Sequence, residues 1–222
     1  MKPFIIKLAN DSHISYAQEI CDEMESSSKI RGTGIAKRSP EYIAQKMRQG
    51  NAIIAFSQDI QWAGFCYIET WQSGEYVANS GLIIAPSFRN QGLAKSIKER
   101  IFDLSQTNFP NAKIFGLTTG LAVMKINSDL GYVPVTYSEL TNDEQFWQGC
   151  KSCVNYSILA SKAYKNCLCT AMLYCLEDQK LIVQTPVITN GETDFESSKL
   201  LSILKRLTRL KKSVFLKKIE SK

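Results

Sequence analysis

Residues 82–97 read Leu-Ile-Ile-Ala-Pro-Ser-Phe-Arg-Asn-Gln-Gly-Leu-Ala-Lys-Ser-Ile. They join an apolar strand to an amphipathic helix through a short turn carrying Arg89, Gln91 and Gly92. Leu93, Ile97, Ile101 and Leu104 recur at helical spacing. A turn feeding a helix N-terminus offers unpaired backbone N–H groups at the positive end of the helix dipole. Such a turn is an anion site, and a diphosphate suits it. Gly92 lets the backbone approach a ligand closely, and the small Ala94 keeps the first helical turn clear.

Cysteines form the second group that could do chemistry. Cys150-x-x-Cys153 and Cys167-x-Cys169 bracket a 13-residue interval. Four thiolates in such pairs can hold zinc tetrahedrally. The second pair is tighter than the usual two-residue gap, and Cys169, Ala171, Leu173 and Cys175 alternate as in a strand. We read these cysteines as small buried hydrophobes of an added subdomain, with no metal, and with zinc or a reactive thiol as the alternatives. Phe146-Trp147 would pack that extension against the core. The chain has seven cysteines, and its N-terminus is no secretory signal, so thiols or metal ligands are expected rather than disulfides.

Composition narrows the class. The 222 residues suit one domain with an appendage and a sizeable core. No stretch approaches the ~20 apolar residues of a membrane span, so a cytoplasmic protein is expected. The net charge of +6 is concentrated at one end: residues 199–222 hold nine Lys/Arg against one acid, and the remainder is slightly acidic. A whole-protein nucleic-acid footprint is therefore not supported.

The elements that must position these groups follow from pattern. Strands are expected at Phe4–Leu8, Ala52–Phe56, Trp62–Trp71, Tyr76–Ile84 and Lys113–Thr119, with extended chain at Tyr132–Tyr137. Helices are expected at Ile14–Lys29 behind a Ser12 cap, from Ser39-Pro40-Glu41 to Arg48, from the turn to about Thr107, and from Leu121 to Leu130. His13, the only histidine, reads as exposed beside that cap. Residues 180–198 read as a linker. From Leu200 to Val214 a single apolar stripe with basic flanks predicts an amphipathic helix over 199–222. It would dock on the body or on a second subunit as a homodimer, with a membrane-surface or nucleic-acid arm as the alternative.

The pattern Arg-x-x-Gly-x-Ala, after a proline and an apolar strand, resembles the acyl-CoA-binding motif of the GNAT family of N-acetyltransferases. Ser128-Asp-Leu-Gly-Tyr132 resembles the end of that family's second conserved helix, and the element order over about residues 3–138 is similar too. The resemblance implies an α/β (α+β) fold, a mixed sheet splayed near Ile84 and flanked by helices, to which the cysteine-containing extension and the basic C-terminal helix read above are appended. It implies a catalytic domain at 1–140 and the extension at 141–179. It further implies acetyl-CoA, or a related acyl-CoA, as co-substrate with no metal required. Arg89, Asn90, Gln91, Gly92, Leu93, Ala94 and Lys95 would line the pyrophosphate, and Leu82, Ile83 and Ile84 the pantetheine.

Acyl transfer to an amine needs a neutral amine, a polarised carbonyl and a departing thiolate. Holding both substrates together supplies much of the acceleration. By this resemblance the Ile84 N–H is an oxyanion donor. Asn127 stands where many members carry the tyrosine that protonates the thiolate; asparagine is no acid, although its amide could hydrogen-bond the sulfur. Tyr132, Tyr137 or a water are the alternatives. The expected strand carboxylate is missing from Tyr76-Val-Ala-Asn-Ser-Gly, which leaves Glu69 as the leading base, ahead of Glu75, with a solvated strand-end charge as its alternative. Asn79 and Ser80 could position a water or the amine. Arg31, Lys37 and Arg38, interleaved with glycines, would recognise an anionic acceptor, unless the loop is merely solvated. That loop, with Gly-Leu-Thr-Thr-Gly at 116–120 and the cysteine extension, resembles a subgroup linked to arginine biosynthesis, whose acceptor is glutamate. The resulting expectation is a small-molecule N-acyltransferase. Its rivals are a protein N-terminal or lysine acetyltransferase and a non-catalytic CoA-binding module.

Overall fold

The apolar runs become strands of one sheet. The computed structural model describes residues 4–32 and 36–176, excluding the Arg31 side chain; the expected linker and basic helix lie outside them. The strands are β1 (Ile5–Leu8), β2 (Ala52–Phe56), β3 (Trp62–Trp71), β4 (Tyr76–Ile84), β5 (Lys113–Thr118), β6 (Val133–Val135) and β7 (Thr170–Tyr174). They lie in the order β1-β2-β3-β4-β5-β7-β6, antiparallel throughout except for β4 beside β5. The helices are α1 (Ala17–Arg31), α2 (Pro40–Arg48), α3 (Leu93–Asn108), α4 (Leu121–Asp129), α5 (Glu144–Gln148) and α6 (Tyr156–Ser161).

Strand β2 is buried along its whole length, and β3 until its last residues, because helices cover both faces of the sheet. On one face Ile54, Phe65, Tyr67 and Ile83 meet Ile20 and Met24 of α1 and Ile43 and Met47 of α2. On the other, Ile53, Cys66, Ile68 and Val77 meet Leu93, Ile97, Ile101 and Phe102 of α3. A third cluster joins Phe115 and Leu173 to Tyr137, Trp147 and Leu159.

Two local expectations are corrected. The chain enters α1 through a 3-10 turn, Asp11–Tyr16, capped by Asn10 rather than Ser12. The Asn10 side chain accepts the Ser12 N–H at 3.0 Å, and His13 Nδ1 accepts the Asn10 N–H at 3.1 Å. His13 is consequently buried against Phe56 instead of exposed, and burial together with Lys7 lowers its pKa. From the segment expected as an extension after residue 140, β7 inserts between β5 and β6.

The feature that matters for a site is where the sheet parts. Strands β4 and β5 pair only from Tyr76↔Lys113 to Ala78↔Phe115. Beyond Ala78 the β4 edge has no β5 partner. On its other edge β4 carries one residue more than β3 between Ser80 and Ile83, a bulge occupied by Gly81 at φ +62°. A Cβ at Gly81 would lie 2.3 Å from Tyr67 Cε1 and 2.9 Å from Met24 Cε. Positive φ and this contact together exclude a side chain. Gly81→Ala is expected to cost about 2–4 kcal/mol, read as a lower thermal midpoint. An unchanged midpoint would show that the bulge relaxes freely.

Candidate functional site

The turn before α3 has the open amides its sequence calls for. Asn90 (φ +58°) and Gly92 (φ +82°) bend the chain back on itself. The Lys95 and Ser96 amides donate to Gly92 O at 3.0 and 3.3 Å, whereas those of Asn90, Gln91, Gly92, Leu93 and Ala94 have no backbone partner among the described residues. These amides cluster at the α3 N-terminus, and the turn is largely exposed. The Leu93 and Ile83 side chains are in the core, so only their main chain is available to a ligand. Lys95 is exposed, 3.9 Å from Glu99.

Arg89 was expected to line a pyrophosphate, but its side chain is otherwise engaged. Its Nε donates to Ile84 O at 3.1 Å, and its Nη2 donates to Glu23 Oε1 at 2.6 Å and Ser27 Oγ at 2.8 Å. The guanidinium thus clasps α1 to the end of β4.

Strand geometry fixes what β4 offers at the split. The Ala85 N–H donates to Ala63 O at 3.0 Å, which makes Gly64↔Ile84 a non-hydrogen-bonded pair. Ile84 therefore turns its N–H and C=O away from β3, to the edge that β5 has left. Arg89 satisfies the carbonyl, and the N–H faces the opening.

On the α1/α2 face, opposite Ala78 in the register, stands Glu69. Its residue is only 8% exposed, which rules out the solvated strand-end alternative. The Tyr42 hydroxyl donates to Glu69 Oε1, and Arg38 Nη2 is 3.5 Å from the same oxygen. Arg38 Nε donates to Tyr67 Oη at 3.0 Å, and the guanidinium lies 5.5 Å from the Tyr42 ring. Burial opposes the Arg38 charge, but Tyr67, Glu69 and Tyr42 outweigh it, so its pKa is raised. Burial and Glu69 raise both tyrosines. Arg38, expected to meet a substrate carboxylate, already holds an internal one. Lys37 is exposed, 3.3 Å from Glu25. Arg31 is the last residue of α1. Tyr42 and Tyr67 were not singled out from the sequence; the signal was the two-residue step from Tyr67 to Glu69, which puts both on one strand face.

Asn79 faces the other way, toward α3, so it does not reach the Glu69 side. Its Oδ1 accepts from Tyr132 Oη at 3.0 Å and Lys98 Nζ at 3.3 Å. Its Nδ2 donates to Ser105 Oγ at 2.7 Å, and Ser105 donates onward to Ile101 O at 2.7 Å. Tyr132 is consequently a buried donor spent on Asn79, and burial raises its pKa well above the usual range. Asn127 is buried against β5: a Cβ at Gly116, one residue past the last β4/β5 pair, would lie 3.6 Å from Asn127 Nδ2. That Nδ2 has a long contact of 3.7 Å to Met172 Sδ, and its Oδ1 has no partner among the described residues.

No family model matches the chain, and no curated protein matches it. Solved structures do. N-acetylglutamate synthase from Neisseria gonorrhoeae, complexed with coenzyme A and N-acetyl-glutamate, is 15% identical with a TM-score of 0.57. That match covers 79% of this chain but only 36% of the synthase, so this chain spans about a third of its length. Rv2747 from Mycobacterium tuberculosis, also in complex with CoA, is 13% identical with a TM-score of 0.54, over 77% of this chain and 98% of that one. A GNAT superfamily phosphinothricin acetyltransferase from Sinorhizobium meliloti, in complex with AcCoA, is 11% identical with a TM-score of 0.54, over 79% and 89%. Likeness at these identities establishes the fold, which is that of the GNAT acetyltransferases.

Lys98, 2% exposed, gives a pH test of the network behind β4. Burial lowers its pKa from the usual 10.5 to about 8. Below about 8 the folded protein carries a buried charge that disfavours folding. Between about 8 and 10.5 only the unfolded chain binds that proton, so this contribution to stability rises with pH. Subtracting the Lys98→Met unfolding curve from that of the parent should expose the rise. A flat difference across that window would place Lys98 in solvent.

Proposed function

We propose that this chain, with the fold of the GNAT acetyltransferases, transfers an acetyl or other short acyl group from CoA to the primary amine of a small molecule, an amino acid such as glutamate. The observation that carries the reading is the split itself: the β4 edge that β5 leaves beyond Ala78 runs into a turn with five amides unpartnered among the described residues, and a buried carboxylate lies on the α1/α2 face. The amides from Asn90 to Ala94 hold the diphosphate of CoA. The pantetheine follows the main chain of Leu82, Ile83 and Ile84, with an edge N–H such as that of Ile84 facing the thioester oxygen.

The amine nitrogen attacks the thioester carbon directly, with both substrates bound. As the tetrahedral intermediate collapses, the C–S bond breaks, CoA leaves as the thiolate and Glu69 takes the amine proton. Glu69 lies opposite Ala78 and Ile84 opposite Gly64, five residues apart along β3, roughly 17 Å, so the proton passes through a chain of waters. Tyr42 and Arg38 hold the carboxylate in place. Asn127 Nδ2, beside Gly116, is the donor for the departing sulfur. Arg31 and Lys37 supply positive charge for an anionic acceptor. The Neisseria synthase, with its bound N-acetyl-glutamate, supports glutamate as the first acceptor to test.

The test is thiol release from acetyl-CoA across the amino acids, with CoA binding measured in parallel by calorimetry. Turnover is expected, highest with glutamate. Glu69→Gln should lower kcat/KM by about 100-fold with CoA affinity retained, and Arg31→Ala should raise the acceptor KM alone. CoA binding without release on any amine would make the chain a CoA-binding module. Failure to bind CoA would end the proposal.

A further inference from the structure

The four cysteines of the C-x-x-C and C-x-C pairs are half-buried, and Cys150 and Cys167 pack against the third core cluster, as expected of small hydrophobes. The first pair sits on and just after a 3-10 turn, Gly149–Ser152, closed by the Cys153 N–H donating to Cys150 O at 2.9 Å. The second pair leads into β7. The fold brings them together around Asn155: its backbone N–H donates to Cys153 Sγ at 3.4 Å, and its carbonyl accepts from Cys167 Sγ at 3.8 Å. Cys169 hydrogen-bonds Cys167 through its side chain and interacts electrostatically with Cys150 and Cys153, and Cys150 does so with Cys153 and Cys167. The Tyr137 hydroxyl, donating to Cys169 O at 2.8 Å, feels all four sulfurs.

Two features of the cluster point to a ligand. Asn155 is 7% exposed, and its side-chain Nδ2 is buried with no acceptor among the described residues. Such a donor is costly unless an anionic acceptor, such as a thiolate, reaches it. The amide of the residue two beyond a cysteine, donating to that sulfur, likewise favours the thiolate form. Meanwhile burial first, and then the neighbouring sulfurs, push the Cys150 thiol up to about 11 and the Cys169 thiol up to about 12. Arg38, the cation that Cys150 feels, is already paired with Glu69.

We propose that Cys150, Cys153, Cys167 and Cys169 bind one thiophilic divalent cation, zinc in the first instance, as a closed structural site. As the side chains stand, no three of the described His, Cys, Asp and Glu groups surround a common point at ligating distance. Cys153 and Cys167 turn to the Asn155 backbone instead, and rotation about χ1, a cysteine's single heavy-atom rotor, is the adjustment that binding requires. Each thiol gives up its proton to solvent as its bond to the cation forms, so uptake is pH-dependent and involves no change of oxidation state. The site does no acyl chemistry. It braces the segment behind Arg38: Ser152 Oγ accepts the Lys37 N–H at 2.9 Å, and a Cβ at Gly149 would lie 3.6 Å from Arg38 Nη2.

The full chain, purified under reducing conditions without chelator, is tested by elemental analysis and by titration with cobalt(II). About one zinc per chain is expected, together with an intense thiolate-to-cobalt charge-transfer band that zinc abolishes. The double variant Cys167→Ser/Cys169→Ser should lose both, and if it fails to fold, the parent's metal content and cobalt band decide alone. A chain with no zinc and no charge-transfer band overturns the proposal. So does quantitative disulfide between these residues in the freshly purified protein. Neither readout involves CoA, so the site stands or falls separately from acyl transfer.

Discussion

A strand that loses its neighbour inside a folded domain exposes a row of backbone groups, and each needs a partner or water. The acyl-transfer reading depends on how β4 meets that constraint beyond Ala78. Arg89 takes up the Ile84 carbonyl from outside the sheet. The bulge at Gly81 bends the strand without a side chain to obstruct Tyr67. Behind the split, Asn79 ties β4 to Lys98 and Ser105 of α3 and to Tyr132 ahead of β6. What remains are N–H donors facing an opening, and donors without acceptors are what an acyl carbonyl and a diphosphate need.

The same economy explains the carboxylate on the other face. Burying Glu69 or Arg38 alone would be prohibitive, and an ion pair in a low-dielectric site holds only when its remaining hydrogen bonds are met. Tyr42 and Tyr67 meet them, one at each partner. The cluster is therefore rigid in its hydrogen bonding, yet it contains a group that can accept a proton. A loop whose cations read in sequence as acceptor-binding, or else as merely solvated, is at Arg38 part of that cluster.

This marks how far the sequence is legible. Strands, helices and the anion turn follow from short-range pattern: apolar runs, the Ser39-Pro40 cap and the Gly92 turn each act within a few residues. Partners distant in the chain do not. Arg38 finds Glu69 at a separation of 31 residues, and Arg89 finds Glu23 at 66, so two arginines assigned to ligands are engaged internally. His13 is misread because its partner, the Asn10 amide, belongs to a 3-10 turn with no apolar period. The placement of β7 between β5 and β6 is likewise non-local, although the alternation at Cys169–Cys175 announces a strand.

Those long-range partners also connect the site's parts. Arg89 joins the anion turn to Glu23 and Ser27 of α1, while the segment at Gly149–Ser152 touches Lys37 and Arg38 between α1 and α2. The helices expected to shape acceptor binding are thus held from two directions, by the turn before α3 and by the cysteine-bearing segment. A displacement at either end acts on Arg38 or on α1 before it reaches Glu69. Packed polar clusters of this kind tend to hold one arrangement rather than deform continuously. On the proposed reading, precision at the acceptor side derives from residues that touch neither the acyl group nor the amine.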